Sequence, residues 1–442
     1  MTLKRINRVA IGKLSGSPAW DQVENFLAAQ MVGGAYTDLE TVEASTLEHD
    51  SAQIAITGQR GDGETPAGAA GNRNAAPSLG FYLRGLDMAG GAANGISALA
   101  ATPQYDMLVE QAAGGVTRNI VGEDVIAGST RWVLQFGAGR VAIVGYSIGD
   151  VIGWVNPAGE MECLPVVAIN AGADQITVAG NSVTVTGGFS AAPAAADDIY
   201  GMRTYPVDQT AGERAHVAIH AQLAQSGVER FFLGCLGSLA FSDADGLLVG
   251  TWAAQAQDWK ADQELVAPPA FGAFVSPNLG PVSTRGARVL LCTAKSWGVD
   301  SAGSHTPSEV SVATSITGTM DLALDIQPRT AATGTNGRQG FVAVQNGCSV
   351  ELRLYHDGTT ASLLAGGSQT FGDGALLQFM GTQEVSVLMQ FGNTPGATVV
   401  LEVGAFQAAT TLGEEGGLAT IDLSGRGFRP AYGSATCRVH LL

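Results

Sequence analysis

Alternation of apolar and polar residues with a period of two runs through most of this sequence, broken by turns of Gly, Asn and Asp, and leaves little room for helices. Gln53-Ile54-Ala55-Ile56-Thr57, Arg131 to Phe136, Gln175 to Val178, Ser182 to Thr186 and Ser349 to Leu354 each put apolar side chains on one face of a strand. Only two stretches read as helices. Ser17-Pro18 supplies an N-cap and a first-turn proline, Trp20, Val23, Leu27 and Met31 follow on one face, and Gly33-Gly34 stops the run. Thr102-Pro103 repeats the device before Tyr105, Leu108, Val109 and Ala112, ending at Gly114-Gly115. The pattern predicts a mainly antiparallel β protein.

Composition narrows the function classes. The 442 residues include 60 glycines and only 14% charged residues, and carry a net charge of -17, which excludes a helical bundle, a coiled coil and a basic nucleic-acid reader. An apolar content of 45% is enough for packed cores and argues against disorder. Cys163, Cys235, Cys292, Cys348 and Cys437 are odd in number and far apart, without zinc-site spacing, and read as small buried side chains made in a reducing cytoplasm. Lys4, Arg5 and Arg8 are followed by Lys13 rather than an apolar core, so no signal peptide is expected. The longest uncharged apolar run, Phe231 to Phe241, falls well short of the roughly 18 residues that cross a bilayer, so no membrane partner is expected either.

Composition shifts divide the chain. Residues 58–80 form a Gly/Ala/Pro stretch without periodicity and read as a long arm. Residues 115–203 hold several closely spaced strand patterns, the rhythm of a small inserted β-barrel. Residues 267–285 read as a Pro/Gly linker, which leaves a discontinuous first domain, 1–114 with 204–266, and a second, 286–442. These outer domains share a weak repeat. Phe232 to Trp259 and Val403 to Phe428 both run strand, acidic-glycine turn, strand, with Asp243 and Asp245 before Gly246-Leu247 matching Glu414 and Glu415 before Gly417-Leu418.

Chemical motifs are few. Gly145-Tyr146-Ser147-Ile148-Gly149 fits G-x-S-x-G and follows a strand-like Val141 to Val144, but the β-branched, Gly- and Pro-broken Asp150 to Pro157 cannot supply the helix a nucleophilic Ser147 needs. A plain β-turn is the better reading. His216 and His220 have metal-pair spacing for a helix, yet Ala215 to His220 alternates and puts both on the polar face of a strand, as surface histidines. Asp243-Ala244-Asp245-Gly246 starts like a calcium loop without the later ligands and reads as a hairpin turn. Arg60-Gly61-Asp62 reads as part of the Gly-rich arm. No catalytic, metal or cofactor site is expected, and the chain reads as a non-enzyme.

The order of features resembles the tail tube (major tail) proteins of bacteriophages with long non-contractile tails. The resemblance rests on the strand Ser51 to Thr57 running into the arm, the helix Pro103 to Gln111, Glu229 to Gly237 leading through the acidic turn to Trp259, Ile316 to Asp325 before Pro328-Arg329, and the closing unit Glu414 to Phe428. It covers residues 38–114 and 204–442; the insert has no place in the minimal family pattern.

The resemblance implies two tail-tube-like β-sandwich or barrel domains with short flanking helices, with the inserted barrel projecting outward as decoration. Such subunits close into stacked rings around an inner β-barrel, and a chain with two units implies a trimeric, pseudo-sixfold ring. Implied partners are other copies of the chain, a tape-measure protein, tail terminator and tail-tip proteins, and double-stranded DNA passing without sequence-specific binding. The implied location is the virion tail, after synthesis in the host cytoplasm. Arg60, Asp62, Glu64 and Arg73 are the expected ring-stacking contacts of the arm, and Asp243, Asp245, Glu414 and Glu415 the acidic turns facing lumen or ring neighbour. An acidic lumen repels DNA along its path where a basic one would hold it. The alternatives are another phage structural β protein (tail hub, capsid decoration or adhesion protein) and, more remotely, a serine hydrolase using Ser147.

Overall fold

The computed structural model describes residues 6–14, 35–42, 45–54, 69–86, 103–115, 117–181, 186–207, 214–223, 228–261, 265, 270–271, 279–292, 308–310, 319–330, 338–355, 384–427 and 437–442. The protein is mainly β, with antiparallel pairing throughout. A first set of elements comprises β1 (Ile6–Lys13), β2 (Thr37–Leu39), β3 (Thr46–Ile54), β4 (Ala69–Tyr82) and helix α1 (Asp106–Ala113). Next come β5 (Arg118–Asn119), β6 (Glu123–Asp124), β7 (Val133–Gln135), α2 (Arg140–Val144), β8 (Val151–Val155) and β9 (Met161–Asn170). They are followed by β10 (Gln175–Val178), β11 (Gly180–Asn181), β12 (Thr186–Gly187), β13 (Asp198–Tyr200) and β14 (Arg203–Pro206). The chain then returns through β15 (Val217–Leu223), β16 (Val228–Ala244), β17 (Leu247–Gln255) and β18 (Asp258–Ala261). The last third holds β19 (Arg288–Cys292), β20 (Ser308–Val310), β21 (Thr319–Thr330), β22 (Arg338–Tyr355), β23 (Glu384–Phe391), β24 (Val399–Glu415), β25 (Leu418–Gly427) and β26 (Cys437–Leu441).

The outer elements form two copies of one arrangement. In the first, β1 pairs with β2 and β15, β15 with β16, β16 with β17 and β18, and β17 with β4, which pairs with β3. In the second, β19 pairs with β20 and β23, β23 with β24, β24 with β25 and β26, and β25 with β22, which pairs with β21. Every pairing of the first set recurs in the second. The hairpin turns agree as well: Asp245-Gly246 (φ 55° and 86°) and Gly416-Gly417 (φ 60° and 85°) both hold two positive-φ residues, as a two-residue hairpin turn requires. Both β3–β4 and β21–β22 carry a bulge, between Ser51 and Gln53 and between Asp325 and Ile326.

Local patterning explains the elements. On β22, Val350, Leu352 and Leu354 are buried while Glu351 is exposed, the alternation that a half-buried strand needs. Helix α1 buries Leu108, Val109 and Ala112, puts Asp106 at the positive end of its dipole, and ends at Gly114 (φ 73°), whose N–H donates to Glu110 O. Arg203 grips Asp106 at one end of the helix (Nε–Oδ1 2.6 Å, Nη2–Oδ2 2.9 Å), and Arg214 Nη1 donates to the carbonyls of Gln111 and Ala112 at the other. One apolar core spans both copies, from Phe232, Leu239 and Trp252 to Leu322, Val350 and Leu401. Cys163, Cys235, Cys348 and Cys437 are free and buried, as expected; the side chain of Cys292 lies outside the described residues.

The insert is a six-stranded sheet in the order β6-β13-β8-β9-β10-β7, and a bridge between Val125 and Phe136 joins its two ends. It leaves and returns on adjacent strands, β5 and β14, and β14 pairs with β26 at the end of the second copy. Its core takes in Leu290, Leu388, Val400 and Leu442 of that copy. The module is therefore seated on the second copy rather than standing apart.

Four sequence expectations need correction. The arm expected over 58–80 is strand β4 from Ala69 onward, paired with β3 over Ala69–Ser78 and with β17 from Ser78; small residues can form a strand when a neighbouring strand supplies its hydrogen bonds. Val141 to Val144 is helical, not extended: Gly139 (φ 74°) and Gly145 (φ 72°) bracket one short turn of which only Val141 is buried. Helix α1 starts at Asp106, three residues beyond Pro103. The linker's last residues join the sheet, with Val282 buried, its N–H donating to Leu83 O and its carbonyl accepting from Leu248 N–H, both at 2.9 Å. The helix expected after Ser17-Pro18 lies outside the described residues.

Candidate assembly interface

Strands β16 and β24, seventeen residues each, are the longest members of their hairpins. β16 changes partners part-way along. One edge pairs with β15 as far as Cys235 and then with β21, placing Leu239, Ala240 and Phe241 opposite Leu322, Asp321 and Met320; the other, the hairpin edge, pairs with β18 over Arg230–Leu233 and with β17 from Leu236. Gly234 (φ 65°) lies at the changeover, and a Cβ there would press on the Gln257 side chain, so the bend requires glycine on both counts. The β16–β21 pairing joins the two copies into one hydrogen-bonded sheet.

Among the described strands, the matching edges elsewhere in the chain have no such partner strand. β24 pairs with β23 as far as Gln407 and with β25 over Phe406–Glu415; beyond Gln407 no described strand pairs with its other edge. β3, the counterpart of β21, pairs with β4 alone among the described strands. Among the described strands, β16–β21 is thus the joint between the two copies.

The acidic turns sit at the tips beside these edges. Asp243 is turned inward: its Oδ1 accepts from Gly246 N–H at 2.9 Å and from the Thr284 hydroxyl at 3.0 Å. Asp245 is exposed at the tip. On the other hairpin Glu414 is exposed, while Glu415 Oε2 lies 3.9 Å from Arg353 Nη1. Arg353 is committed to Asp422 (Nε–Oδ1 2.7 Å, Nη2–Oδ2 2.9 Å), and those hydrogen bonds hold the Asp422 carboxyl below its ordinary pKa. Strand register aligns Asp243 with Glu414 and Asp245 with Gly416, so the expected match of Asp245 with Glu415 is one residue out. Arg60, Asp62 and Glu64 lie outside the described residues; Arg73 stands on β4 opposite Ser51, its side chain outside them too.

No protein-family model matches the chain, and no curated protein does.

The remaining candidate residues have local explanations. Ser147 stands between a helix and a strand, α2 before it and β8 after it, the reverse of the strand-turn-helix order of a nucleophile elbow. Its main-chain N–H donates to Asp150, which also receives Arg118 Nη1 at 3.1 Å. Burial raises the Asp150 pKa, and the Ser147 N–H and Arg118 offset only part of that. Gly149 (φ 87°) closes the motif where a Cβ would lie 2.8 Å from the Arg438 guanidinium. Arg438 in turn lies on buried Glu402, at 3.1 and 3.2 Å from its two oxygens, and His440 bridges Glu402 Oε2 (3.1 Å) to Thr204 Oγ1 (2.8 Å). Both His440 nitrogens are therefore engaged away from Ser147.

His220 corrects the surface expectation. It is buried between Phe231 and Phe271, ring centroids at 4.3 and 3.8 Å, with Nε2 lying 2.8 Å from Glu229 Oε2, because these rings and that of Tyr36 cover its face of β15. His216 precedes β15 and is half-buried; at about 3.3 Å per strand residue the two histidines are roughly 13 Å apart. Among the described residues no group of three or more His, Cys, Asp or Glu is placed to hold a metal, and no helix is long and apolar enough to cross a membrane. The β16–β21 joint was the feature that strand patterning missed. Its one trace in the sequence is the unbroken apolar run Phe231 to Phe241, which outlasts any single neighbour.

Proposed function

We propose that this chain is the tail tube subunit of a bacteriophage with a long non-contractile tail, polymerising into stacked rings whose lumen conducts double-stranded DNA. The observation that carries the reading is the β16–β21 joint: two copies of one strand arrangement fused edge to edge in one hydrogen-bonded sheet, while among the described strands none pairs with the outer edge of β24 beyond Gln407. A head-to-tail contact of this kind closes into a ring when its rotation allows, and closure removes the exposed sheet edges that otherwise invite uncontrolled pairing. With two tube-like units per chain, three chains give a pseudo-sixfold ring. The net charge of -17 per chain suits a conduit that lets DNA slide rather than bind. Tape-measure, terminator and tail-tip proteins are the partners this role requires.

Electron microscopy of the purified protein tests it. Rings or tubes with an open lumen are expected. A chain that stays monomeric at high concentration, or assembles into closed particles, overturns the reading; single rings that never stack favour a tail-hub protein instead.

A further inference from the structure

Two thiols meet in the core of the second copy. On β22 the buried residues Leu352 and Val350 continue back, in steps of two, to Cys348; on β26 Leu441 and Val439 continue back in the same way to Cys437. All six side chains belong to one apolar core. Among the described strands β22 pairs with β21 and β25, and β26 with β14 and β24, so no ladder ties β22 to β26 directly. Yet the Cys348 and Cys437 thiols hydrogen-bond to each other, and both are free and closed off from solvent. The other described cysteine side chains lie elsewhere, Cys163 in the core of the insert and Cys235 on β16 opposite Val217.

We propose that Cys348 and Cys437 are a dithiol pair that closes to a disulfide when the protein meets a soluble small-molecule disulfide such as oxidised glutathione, locking β26 to β22. One protein thiolate attacks the small disulfide, forming a mixed disulfide and releasing the first small thiol. The second protein thiolate then attacks the protein-side sulfur of that mixed disulfide, forming the Cys348–Cys437 bond and releasing the second. The two thiol protons end on the released thiols, and the two electrons given up by the protein reduce the oxidant. Burial first, and then the Cys348 thiol beside it, push the Cys437 thiol well above its ordinary pKa. With β26 in place the nucleophile is therefore protonated and shielded, so the exchange runs through local opening of that strand. A reducing compartment keeps the pair as thiols. The bond matters because β26 fastens the insert to the second copy: it pairs with β14 and β24, sets Arg438 and His440 on Glu402, and leads into Leu442 of the insert's core. It would close a loop of about 90 residues, which restricts the unfolded chain and so favours the folded one. None of this depends on the tube reading, whose failure would leave it standing.

Thiol trapping tests the pair. The purified full-length protein is incubated with oxidised glutathione in urea just below its unfolding transition, then unfolded, alkylated and digested. Mass spectrometry should find peptides carrying Cys348 and Cys437 linked to each other and separated by reductant, with no such link at Cys163 or Cys235. The link should form roughly tenfold or more faster than in the absence of urea. Returned to buffer, the oxidised protein should melt about 3 to 8 °C above the reduced one. Cys348→Ala and Cys437→Ala should each abolish the link and the shift; the linked peptides are read in the unsubstituted chain, so the test stands even where a variant fails to fold. Both cysteines still alkylated after oxidation, a glutathione adduct persisting on either in place of the link, a link to another cysteine instead, or a lowered melting temperature overturns the proposal. Equal rates with and without urea overturn the opening route.

Discussion

Gln111 and Trp252 meet inside the protein, the amide Oε1 of one accepting from the indole Nε1–H of the other at 2.8 Å and from the main-chain N–H of Gly237 at 3.0 Å. This polar contact pins α1 to the β16–β17 hairpin. Gln111→Met keeps the volume and leaves two buried donors without an acceptor, so a loss of about 2 to 5 kcal/mol is expected in urea unfolding. A loss below about 1 kcal/mol would mean that α1 is held mainly by its apolar face.

Glu402 is fully buried beneath Arg438 and His440. Burial alone would raise its pKa, but Arg438 and His440 outweigh it and hold the carboxyl below its ordinary value. Arg438→Met strands a buried carboxylate, with an expected cost of about 3 to 5 kcal/mol. Adding Glu402→Gln should restore part of it, and no recovery in the double variant would rule out the charge as the cause. A group with a lowered folded pKa stabilises above its unfolded value, near 4.3, and loses that stabilisation as the pH falls through the folded value.

At the G-x-S-x-G turn the glycine matters and the serine does not. Gly149→Ala places a Cβ at φ 87° against Arg438, with an expected loss of about 1 to 3 kcal/mol. Ser147→Ala should stay within about 0.5 kcal/mol of wild type in thermal unfolding and leave any measured ester hydrolysis unchanged. Loss of a hydrolytic activity in that variant would revive the enzyme reading.

His220 is held as the neutral ring, because burial outweighs Glu229 and lowers its pKa. Below about pH 6.5 the unfolded chain takes the proton first, so stability falls on acidification from there down to the folded value. His220→Phe keeps the stacking and removes the titration. Its melting temperature should drop less than that of wild type between pH 7.5 and 5.5, and parallel curves would show that His220 does not contribute.

Asp245 and Glu414 are exposed at the two hairpin tips. In the tube reading, lysine at both positions leaves folding within about 0.5 kcal/mol and makes the assembled tubes retain double-stranded DNA, with retention falling steeply between 50 and 200 mM salt. Equal retention by wild type and variant would place these tips away from the DNA path.

Some of this fold was legible residue by residue. Leu108, Val109 and Ala112 of α1 and the Val350, Leu352, Leu354 stripe of β22 are buried as their spacing implies, because burial of one face is a local property of a helix or strand. The hairpin tips could be matched in the sequence to within one residue, since positive φ demands Gly or Asp there. Other features were invisible for a common reason. The first half of β4, Ala69 to Asn74, has no strand preference and exists through β3; His220 looks like a surface residue until the rings of Phe231 and Phe271 cover it; α2 is made of strand formers caught between two left-handed glycines.

Turn chemistry and alternation settled that this is an antiparallel β protein with a repeated hairpin and an insert, because those signals act within a few residues of chain. Which edge meets which did not follow from them. A strand's two edges carry the same main-chain groups whatever the side chains, so Ala240 facing Asp321 and the seating of the insert on Leu290, Leu388 and Val400 are set by long-range packing of the whole chain.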